Sequence, residues 1–168
     1  RLNTLDEALN NIEKAINNAI SINEKIKVNA ELIKSIKGIS DKTAIPFLVE
    51  TGILGTNIEN IFPSHKQLIA YSGTDPTLKQ SGASIEHNGS ISKKGNKYLR
   101  KIVYLMGRNV IRYDGYFKYY FEKKINEGKA RNQAIIAVAN KLLKIIYALL
   151  KNQTKYDSEY HLQQVDWI

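Results

Sequence analysis

Residues 79–101, with the sequence KQSGASIEHNGSISKKGNKYLRK, combine the residue types that could handle a nucleic-acid phosphate. The stretch holds six basic residues against one acid, Glu86, and its glycines would let a backbone approach closely. Ser81 stands directly before Gly82, and its hydroxyl could attack phosphorus. Three further serines lie between residues 84 and 92, and a loop serine more often bonds its own backbone. Chemistry alone therefore predicts a phosphate-handling segment and leaves the nucleophile open.

The basic residues of this segment cluster where a helix is predicted to begin. The candidate nucleic-acid contacts are Lys79, Gly82, Ser92, Lys93, Lys94, Asn96, Lys97, Arg100 and Lys101. At helical spacing, four of the bases share one side while Leu99, Ile102 and Val103 point the other way. A solvated helix face normally interleaves acids, but none occurs between Glu86 and Asp114. The pattern favours phosphate contact over a merely solvated face.

The charge of the whole chain points to the same partner. The net charge is +9, and residues 76–131 hold thirteen basic and four acidic residues, so the excess is confined to the central third. A segregated excess of this kind predicts a polyanion partner. Nucleic acid is favoured over a membrane surface, because the bases alternate with glycine, asparagine and tyrosine. We expect no membrane-spanning run and no signal peptide, hence a soluble cytoplasmic protein.

Other chemistries find little support. The chain has no cysteine, which excludes disulfides, thiol catalysis and cysteine-ligated zinc. Three scattered histidines, His65, His87 and His161, do not pair at metal-ligand spacing. A Ser-His-Asp set could be assembled from Ser81, His87 and Asp75, but their spacing does not indicate one. We expect no cofactor held by this chain.

The first 36 residues predict one long helix with a heptad repeat. Its two apolar rows are Leu2, Leu9, Ile16, Asn23 and Ala30, and Leu5, Ile12, Ala19, Ile26 and Ile33. Such rows are typical of a coiled coil, in which a buried asparagine can fix register and partner number. The alternative is an amphipathic helix folded back on its own domain. Residues 1–35 are thus a predicted helical arm, through which the chain would form a homo-oligomer.

A helical hairpin is predicted over residues 32–52. The turn contains Gly38 and Ser40, the second helix starts at Ser40 or Asp41, and Ala44 and Phe47 point inward. The pattern resembles a helix-hairpin-helix, whose turn offers backbone N–H groups to a DNA phosphate. We therefore include Gly38 and Ser40 among the candidate DNA-binding residues. An ordinary αα-hairpin fits almost as well, because the usual second turn glycine is replaced by Ser40.

The remaining chain predicts an all-α domain over residues 36–155, followed by a tail at 156–168. Helices are expected at 65–72, 96–113, 115–127 and 129–151, the last being the main core element. Residues 74–92 show no helical period and carry several glycines, so they are predicted as a long loop without strands, which contains Ser81. Tyr116, Phe117, Tyr120 and Phe121 are expected in the core.

Several separated motifs, in this order, resemble a known family. They are IKGISDKTA, FPSHKQLIAYSGTDPTLKQSG, ISKKGNKYLRKIVY and AIIAVANKLLKIIYALL. They are similar to the C-terminal domain of the insertion-sequence transposases that include the pilin-gene DNA invertases and the RNA-guided bridge recombinases. The resemblance covers about residues 32–152. Thr74 departs from the family pattern, which often has an apolar residue there.

The resemblance implies a serine nucleophile that recombines DNA. The family's SG serine falls on Ser81, and its SKRGN-type segment falls on residues 92–96. It also implies an N-terminal RuvC-like domain outside this chain, whose four acidic residues bind Mg²⁺, joined through a coiled coil. In many members a structured RNA serves as guide. The isolated chain would then be inert, because it lacks those carboxylates.

Three hypotheses follow for the function. The chain is the serine-bearing domain of a transposase or site-specific recombinase, which is the interpretation we favour. Alternatively, it is a non-catalytic nucleic-acid-binding module of the helix-hairpin-helix type. A third hypothesis is a helical oligomerisation domain, but the segregated charge argues against oligomerisation as the sole role.

Overall fold

The computed structural model describes residues 2–21, 23–81 and 84–163. Within these residues the protein is built from helices and a two-stranded hairpin, which confirms the all-α class. The elements in chain order are α1 Leu2–Ser21, α2 Glu24–Lys34, α3 Asp41–Thr51, α4 Ile58–Ile61, α5 His65–Ser72, β1 Pro76–Ser81, β2 Ser84–Ile91, α6 Lys97–Tyr113, α7 Gly115–Asn126, α8 Arg131–Asn152 and α9 Ser158–Gln163.

Helix α8 forms the centre of the domain. It contacts α2, α4, α5, α6 and α7, and eleven of its residues are buried, so apolar side chains surround most of its circumference. By length and composition alone α8 could cross a bilayer, which corrects the expectation that no run is long enough. Most of the helix is instead buried within the domain. The core that α8 organises holds the other helices in place.

Local capping signals set the predicted helix boundaries. Asp114 ends α6 and begins α7: its Oδ1 accepts hydrogen bonds from the backbone N–H groups of Tyr116 (3.0 Å) and Phe117 (3.2 Å). Gly73, with φ +66°, closes α5 in the left-handed conformation. The predicted helices at 65–72, 96–113, 115–127 and 129–151 are confirmed to within two residues at each end. Tyr116 and Phe117 are buried, as predicted.

The single helix predicted for residues 2–36 is wrong, because the chain breaks near Asn23. Helix α1 ends at Ser21 and α2 begins at Glu24, with Asn23 as its N-cap. The Asn23 side-chain oxygen accepts from the N–H groups of Lys25 (3.2 Å) and Ile26 (3.3 Å). Asparagine favours caps over helix interiors, so this residue starts a helix and does not occupy a coiled-coil seam.

The two halves of the heptad repeat have different environments. In α2, Ala30 and Ile33 are buried, and Ile26 packs against the core, as expected for a helix folded back on its domain. In α1, a row formed by Leu5, Leu9 and Ile12 is more than half exposed. The coiled coil stays a prediction that concerns α1 alone.

Residues 76–91 form an antiparallel hairpin where a strandless loop was predicted. In its register Lys79 pairs with Glu86, and Ser81 pairs with Ser84. A two-residue connection containing Gly82 is a hairpin signal. The strands nevertheless show no clear alternation of apolar and polar residues, and they carry Pro, Gly and Asn, which are poor strand formers.

The C-terminal tail is also more ordered than its sequence suggests. It contains α9, which contacts α7, and Tyr156 just before it donates its backbone N–H to Ser35 Oγ (2.9 Å). The rings of Tyr156 and His161 stack with their centres 5.2 Å apart. Residues 164–168 lie outside the described residues.

Candidate nucleic-acid interface and reactive hairpin

The hairpin is joined to the domain by a short backbone ladder. Residues 71–75 and 92–96, here called the hairpin root, run side by side in opposite directions. The N–H groups of Ser92, Lys93 and Asn96 donate to the carbonyls of Asp75 (2.9 Å), Gly73 (3.2 Å) and Tyr71 (2.8 Å), respectively. These bonds continue the pairing of β1 with β2 into the helical core. The direction of the hairpin is therefore determined at its root.

Two glycines let the two halves of the root approach each other. A Cβ atom on Gly95 would overlap the carbonyl oxygen of Tyr71 and lie 2.6 Å from the N atom of Gly73. A Cβ atom on Gly73 would lie 2.7 Å from the N atom of Gly95 and 2.5 Å from Nη2 of Arg100. Neither position has room for a side chain. The glycine of the SKKGN segment therefore has a packing role.

Arg100 stabilises the same crossing. Its Nε donates to the carbonyl of Ser72 (3.2 Å), and its Nη2 donates to the carbonyl of Gly95 (2.9 Å). A planar guanidinium suits this bridging of two backbone segments. Arg100 was predicted to contact phosphate. The structure gives part of its side chain a positioning role, and the phosphate contact stays a prediction.

Asn96, a second predicted DNA contact, caps α6. Its side-chain oxygen accepts from the N–H groups of Tyr98 (2.8 Å) and Leu99 (3.1 Å). Its amide nitrogen donates to Glu50 Oε2 on α3 (2.7 Å). Both ends of the side chain thus bind other parts of the domain, and they orient the start of the basic helix.

A buried polar chain ties the root to α8. Ser72 and Thr74 are fully buried, and the Ser72 hydroxyl lies 2.7 Å from that of Thr74. Thr74 donates to Asn140 Oδ1 (2.5 Å), and the Asn140 amide donates back to the Thr74 carbonyl (3.0 Å). A buried hydroxyl needs such partners, which accounts for a threonine at this position. Asn140 was missed, although an asparagine within the apolar run of α8 was a detectable signal.

Ser92 and Asp75 are hydrogen-bonded to each other at the end of the root that leads into β1 and β2. The Ser92 hydroxyl donates to Asp75 Oδ1 (2.5 Å) and accepts from the N–H of Lys94 (3.4 Å). A serine engaged in this way organises the turn. Ser92, predicted as a nucleic-acid contact, therefore has partners within the chain.

The remaining predicted bases around the root point to solvent. Lys93, Lys94, Lys97 and Lys101 are exposed, and none of them joins an ion pair among the described residues. Lys93 also adopts a left-handed φ of +55°, which is uncommon for a residue with a side chain. The hydrogen bond from its N–H to Gly73 holds this conformation. These four lysines, here called the lysines of the root although two of them lie in the first turns of α6, are available to phosphates.

Ser81 lies at the opposite end of the hairpin from these lysines. It is the last residue of β1, and at about 3.3 Å per residue it stands roughly 15 Å along the strand from Pro76. Lys79 lies in the same strand, opposite Glu86, and Gly82 lies outside the described residues. The domain therefore does not bring Ser81 to the lysines of the root. Asp75 at the root is equally remote, which argues against a triad with Ser81.

The predicted helical hairpin forms between α2 and α3. Gly38 has φ +95°, and a Cβ atom there would lie 2.9 Å from the carbonyl oxygen of Asn109 on α6. Ser40 is the exposed N-cap residue of α3, and its side chain makes no capping hydrogen bond. Ala44 and Phe47 are fully buried, as predicted. Phosphate binding at this turn stays a prediction, because Gly38 is accounted for by packing.

Sequence reasoning also missed four basic residues on α6 and around the start of α8. Arg108 and Arg112 on α6, and Lys129 and Arg131 around the start of α8, are exposed. The helical spacing of the α6 pair with Lys97 and Lys101 was a detectable signal. Among the described residues, no group of three or more His, Asp or Glu side chains could hold a metal ion.

Comparison with known proteins places this arrangement in a family. The sequence pattern described as "Transposase IS116/IS110/IS902 family" matches residues 30–122, which include the α2–α3 hairpin, β1, β2, the root and α6. Three of the four motifs that carried the resemblance thus fall within the matched region, and the fourth, at 134–150, lies after it. More than half of the chain is covered.

Individual relatives agree with the family match. A pilin gene-inverting protein of Moraxella bovis is 31% identical over 157 residues, which is 92% of this chain and 47% of the relative. A transposase for insertion sequence element IS1111A of Coxiella burnetii is 30% identical over 154 residues, 90% of this chain and 40% of the relative. The chain spans about half the length, or less, of these relatives. It belongs to the IS116/IS110/IS902 family of transposases.

Proposed function

We propose that this chain is the serine-bearing domain of a DNA transposase or site-specific recombinase. Ser81 would supply the nucleophile for strand cleavage and transfer, and the exposed lysines of the root would contact DNA. The relatives named as a transposase and as pilin gene-inverting proteins support this role. The full activity would require parts of a longer protein, because the chain corresponds to only about half of those relatives.

The observation that carries the proposal is the position of Ser81 on a rooted hairpin. The root is held by the Gly73–Gly95 crossing, by Arg100 and by the bond from Thr74 to Asn140. Beyond their root ends, β1 and β2 contact mainly each other among the described residues. A serine at the far end of such a hairpin can meet groups outside this domain, and a fixed root limits the directions it can take.

The proposed step is attack of the Ser81 hydroxyl oxygen on a DNA phosphorus. A new O–P bond forms, the P–O bond to one deoxyribose oxygen breaks, and the serine proton leaves to a base. The departing sugar oxygen takes up a proton. The product keeps a phosphodiester bond between serine and DNA, which a second sugar hydroxyl can later attack to rejoin strands. Positive charge near the phosphate would stabilise the charge that develops on its oxygens.

The activating base and Mg²⁺ are proposed to lie in a nuclease domain outside this chain. Serine is a weak nucleophile at its ordinary pKa and needs a base or a metal. The described residues converge on no metal-binding cluster, and the root's one acid, Asp75, is bonded to Ser92 and remote from Ser81. We therefore expect residues 1–168 alone to leave DNA uncut.

The test uses the full-length protein with Ser81→Ala and, as a matched control, Ser84→Ala. Ser84 pairs with Ser81 across the hairpin, so the two variants remove the same hydroxyl from neighbouring positions. We expect Ser81→Ala to abolish strand cleavage and the covalent protein–DNA adduct, while DNA binding persists. Ser84→Ala should retain the adduct. Adduct formation by Ser81→Ala at the wild-type level would overturn the assignment.

The second candidate function is a non-catalytic nucleic-acid-binding module. It is favoured by the exposed Ser40 N-cap at the α2–α3 turn, together with the lysines of the root. In that case Ser81→Ala would leave the activity of the full-length protein unchanged. Replacement of Lys93, Lys94 and Lys97 would weaken DNA binding and flatten its salt dependence.

We further propose that α1 pairs with a second copy of the chain. The exposed row of Leu5, Leu9 and Ile12 is the observation that favours it, because an apolar stripe of this kind is typical of helix pairing. Deletion of residues 1–21 is the suitable test, since α2 contributes Leu32 and Ile33 to the core. Sedimentation should show an oligomer that becomes a monomer on this deletion. A monomer before deletion would refute the pairing.

A guide RNA is proposed on the resemblance alone. RNA that copurifies with the full-length protein, and whose removal by ribonuclease stops recombination, would support it. Recombination that continues at the same rate after ribonuclease treatment would refute it.

A further inference from the structure

A series of adjoining depressions lies between α6 and the beginning of α8. They have volumes of about 800, 390 and 340 Å³, all three share Asn132, and two of them also share Tyr104. The Tyr104 hydroxyl of α6 donates to Asn132 Oδ1 of α8 (3.1 Å), which links the two sides where the depressions meet. We call this surface the α6–α8 groove. One end of it reaches Pro76, Ile91 and Lys93 at the hairpin root.

The charge lining this groove is of one sign. Eight of its residues are basic and none is acidic, although the chain as a whole holds 25 basic and 16 acidic residues. The basic residues are Lys93, Lys97, Arg100, Lys101, Arg108, Arg112, Lys129 and Arg131. A concave surface with such a charge attracts an extended polyanion.

The bases on α6 form one stripe. Lys97, Lys101, Arg108 and Arg112 recur at helical spacing, with Tyr104 between them on the same side. At 1.5 Å per residue the stripe is about 22 Å long. A DNA duplex of the same length carries on the order of ten phosphates, since it has one charge per 1.7 Å. The stripe therefore matches a backbone better than it matches a single small anion.

Some lysines outside the groove, namely Lys34, Lys124 and Lys151, have acidic partners. Lys34 lies 2.9 Å from both Glu31 and Asp41, and Lys151 lies 2.7 Å from Glu59. None of the groove's basic residues forms an ion pair among the described residues. The groove thus leaves its charge uncompensated, as a surface with an anionic partner should.

The groove suits a duplex better than a single strand. Single-strand binding relies on aromatic rings on which bases stack. The lining of the groove holds only two aromatic residues, Tyr104 and Phe121, and the guanidinium of Arg131 lies over the Phe121 ring, 6.0 Å from the ring centre. The long side chains of Arg and Lys, with the amides of Asn132 and Gln133, are instead typical of contacts to phosphate and sugar.

We propose that the α6–α8 groove binds the sugar-phosphate backbone of duplex DNA next to the segment that Ser81 attacks. Arg108, Arg112, Lys129 and Arg131 are new contacts, and they extend the predicted lysines of the root into one track. The proposal rests on the proposed function, because the groove meets the root of the hairpin that carries Ser81. Contacts of this kind hold the duplex in register and do not depend on its base sequence.

The test measures binding of residues 1–168 to a labelled DNA duplex of arbitrary sequence over a range of salt concentrations. The variant Arg108→Gln/Arg112→Gln should bind more weakly, with a salt slope reduced by about 2, one for each lost phosphate contact. The variant Lys129→Gln/Arg131→Gln should show the same weaker binding and the same reduction in salt slope. The control Lys118→Gln/Lys155→Gln removes two exposed charges outside the groove and should change the slope far less. Circular dichroism confirms that each variant is folded.

The outcomes separate this proposal from the function on which it rests. The proposal that the groove binds DNA would be overturned by either of two results. One is an equal salt slope for groove and control variants, and the other is no duplex binding by the wild-type chain at low salt. Tighter binding of an RNA duplex through the same residues would overturn the assignment to DNA. The groove variants could bind DNA weakly while the full-length Ser81→Ala protein still forms the adduct at the wild-type level. That result would support DNA binding by the groove and reject Ser81 as the nucleophile.

Discussion

The root and the far end of the hairpin differ in how the domain holds them. At the root, Gly73, Gly95, Arg100 and the buried hydroxyl of Thr74 fit one another closely, and each has partners from a different part of the chain. At the far end, Ser81 has the pairing of β1 with β2 as its described contact. One continuous stretch of sequence thus serves two purposes. Its best-packed residues position the hairpin, and the residue proposed to react lies at the far end of the same strands.

The SKKGN segment and helix α6 that follows it also contain both packed and exposed residues. Ser92, Gly95, Asn96 and Arg100 bind backbone or side chains of the domain. The lysines between and after them are exposed. Substitutions at the first group should therefore cost stability, and substitutions at the second should cost nucleic-acid affinity.

The largest expected loss of stability follows from Gly95→Ala. Its new Cβ would overlap the Tyr71 carbonyl, so the root must separate, and we expect the free energy of unfolding to fall by about 3 kcal/mol or more. Gly128→Ala is the matched control, because Gly128 has φ +84° and no atom within 4 Å of a new Cβ. That change should cost only about 1 kcal/mol. Urea unfolding measures both, and equal losses would show that the root is not tightly packed.

A smaller loss is expected for Thr74→Val. The variant leaves the part-buried Asn140 Oδ1 without its donor, which should lower the free energy of unfolding by about 1–3 kcal/mol. The control Thr43→Val removes a hydroxyl that donates to the nearby Ser40 carbonyl in an exposed position. It should cost about 0.5 kcal/mol or less. If Thr74→Val unfolds no more easily than Thr43→Val, the bond to α8 does not hold the root.

Arg100→Lys should have an intermediate effect. A lysine keeps the charge but cannot bridge the carbonyls of Ser72 and Gly95, so we expect a loss of about 1–2 kcal/mol in unfolding free energy. Arg108→Lys, at an exposed position, should change stability by about 0.5 kcal/mol at most. Chemical denaturation compares the pair. An Arg100→Lys variant as stable as Arg108→Lys would mean that the guanidinium is dispensable to the root.

The smallest effect on stability is expected for Lys93→Asn. Asparagine tolerates the left-handed conformation of this position, so unfolding free energy should change by about 0.5 kcal/mol or less. The salt slope of DNA binding should fall by about 1 because one phosphate contact is lost. Denaturation and binding titrations together test this division. A large loss of stability with unchanged binding would place Lys93 among the root's structural residues.

The sequence predicted the helices well because their signals are local. Asp114 caps α7 within three residues of itself, and Gly73 closes α5, so both helix ends could be recognised without knowledge of the fold. Asn23 also has a local capping role, but its place in a heptad favoured the wrong interpretation. The heptad count described the spacing of apolar residues and could not tell whether one helix or two carried them.

The hairpin and most of its supports could not be predicted in the same way. β1 and β2 are two short strands with a mixed composition, and the pairing between them is their main support. Asn140 lies 66 residues from Thr74, and no local pattern relates an amide in an apolar helix to a threonine after another helix. Within the candidate site, Ser81 was predicted from the family resemblance, and the lysines were predicted from the segregated positive charge. Arg108, Arg112 and Arg131 of the groove were missed because they lie beyond the motif.

The sequence by itself determined the helices, the segregated positive charge and the serine–glycine pair, since all of these depend on residue types and short spacings. The tertiary structure decided which positions within residues 79–101 hold the hairpin in place and which are exposed to solvent. It also decided that Ser81 and the root lysines lie at opposite ends of that hairpin. The physical reason is close packing: two glycines far apart in the chain can share one small space only after α5 and α6 have come together on α8.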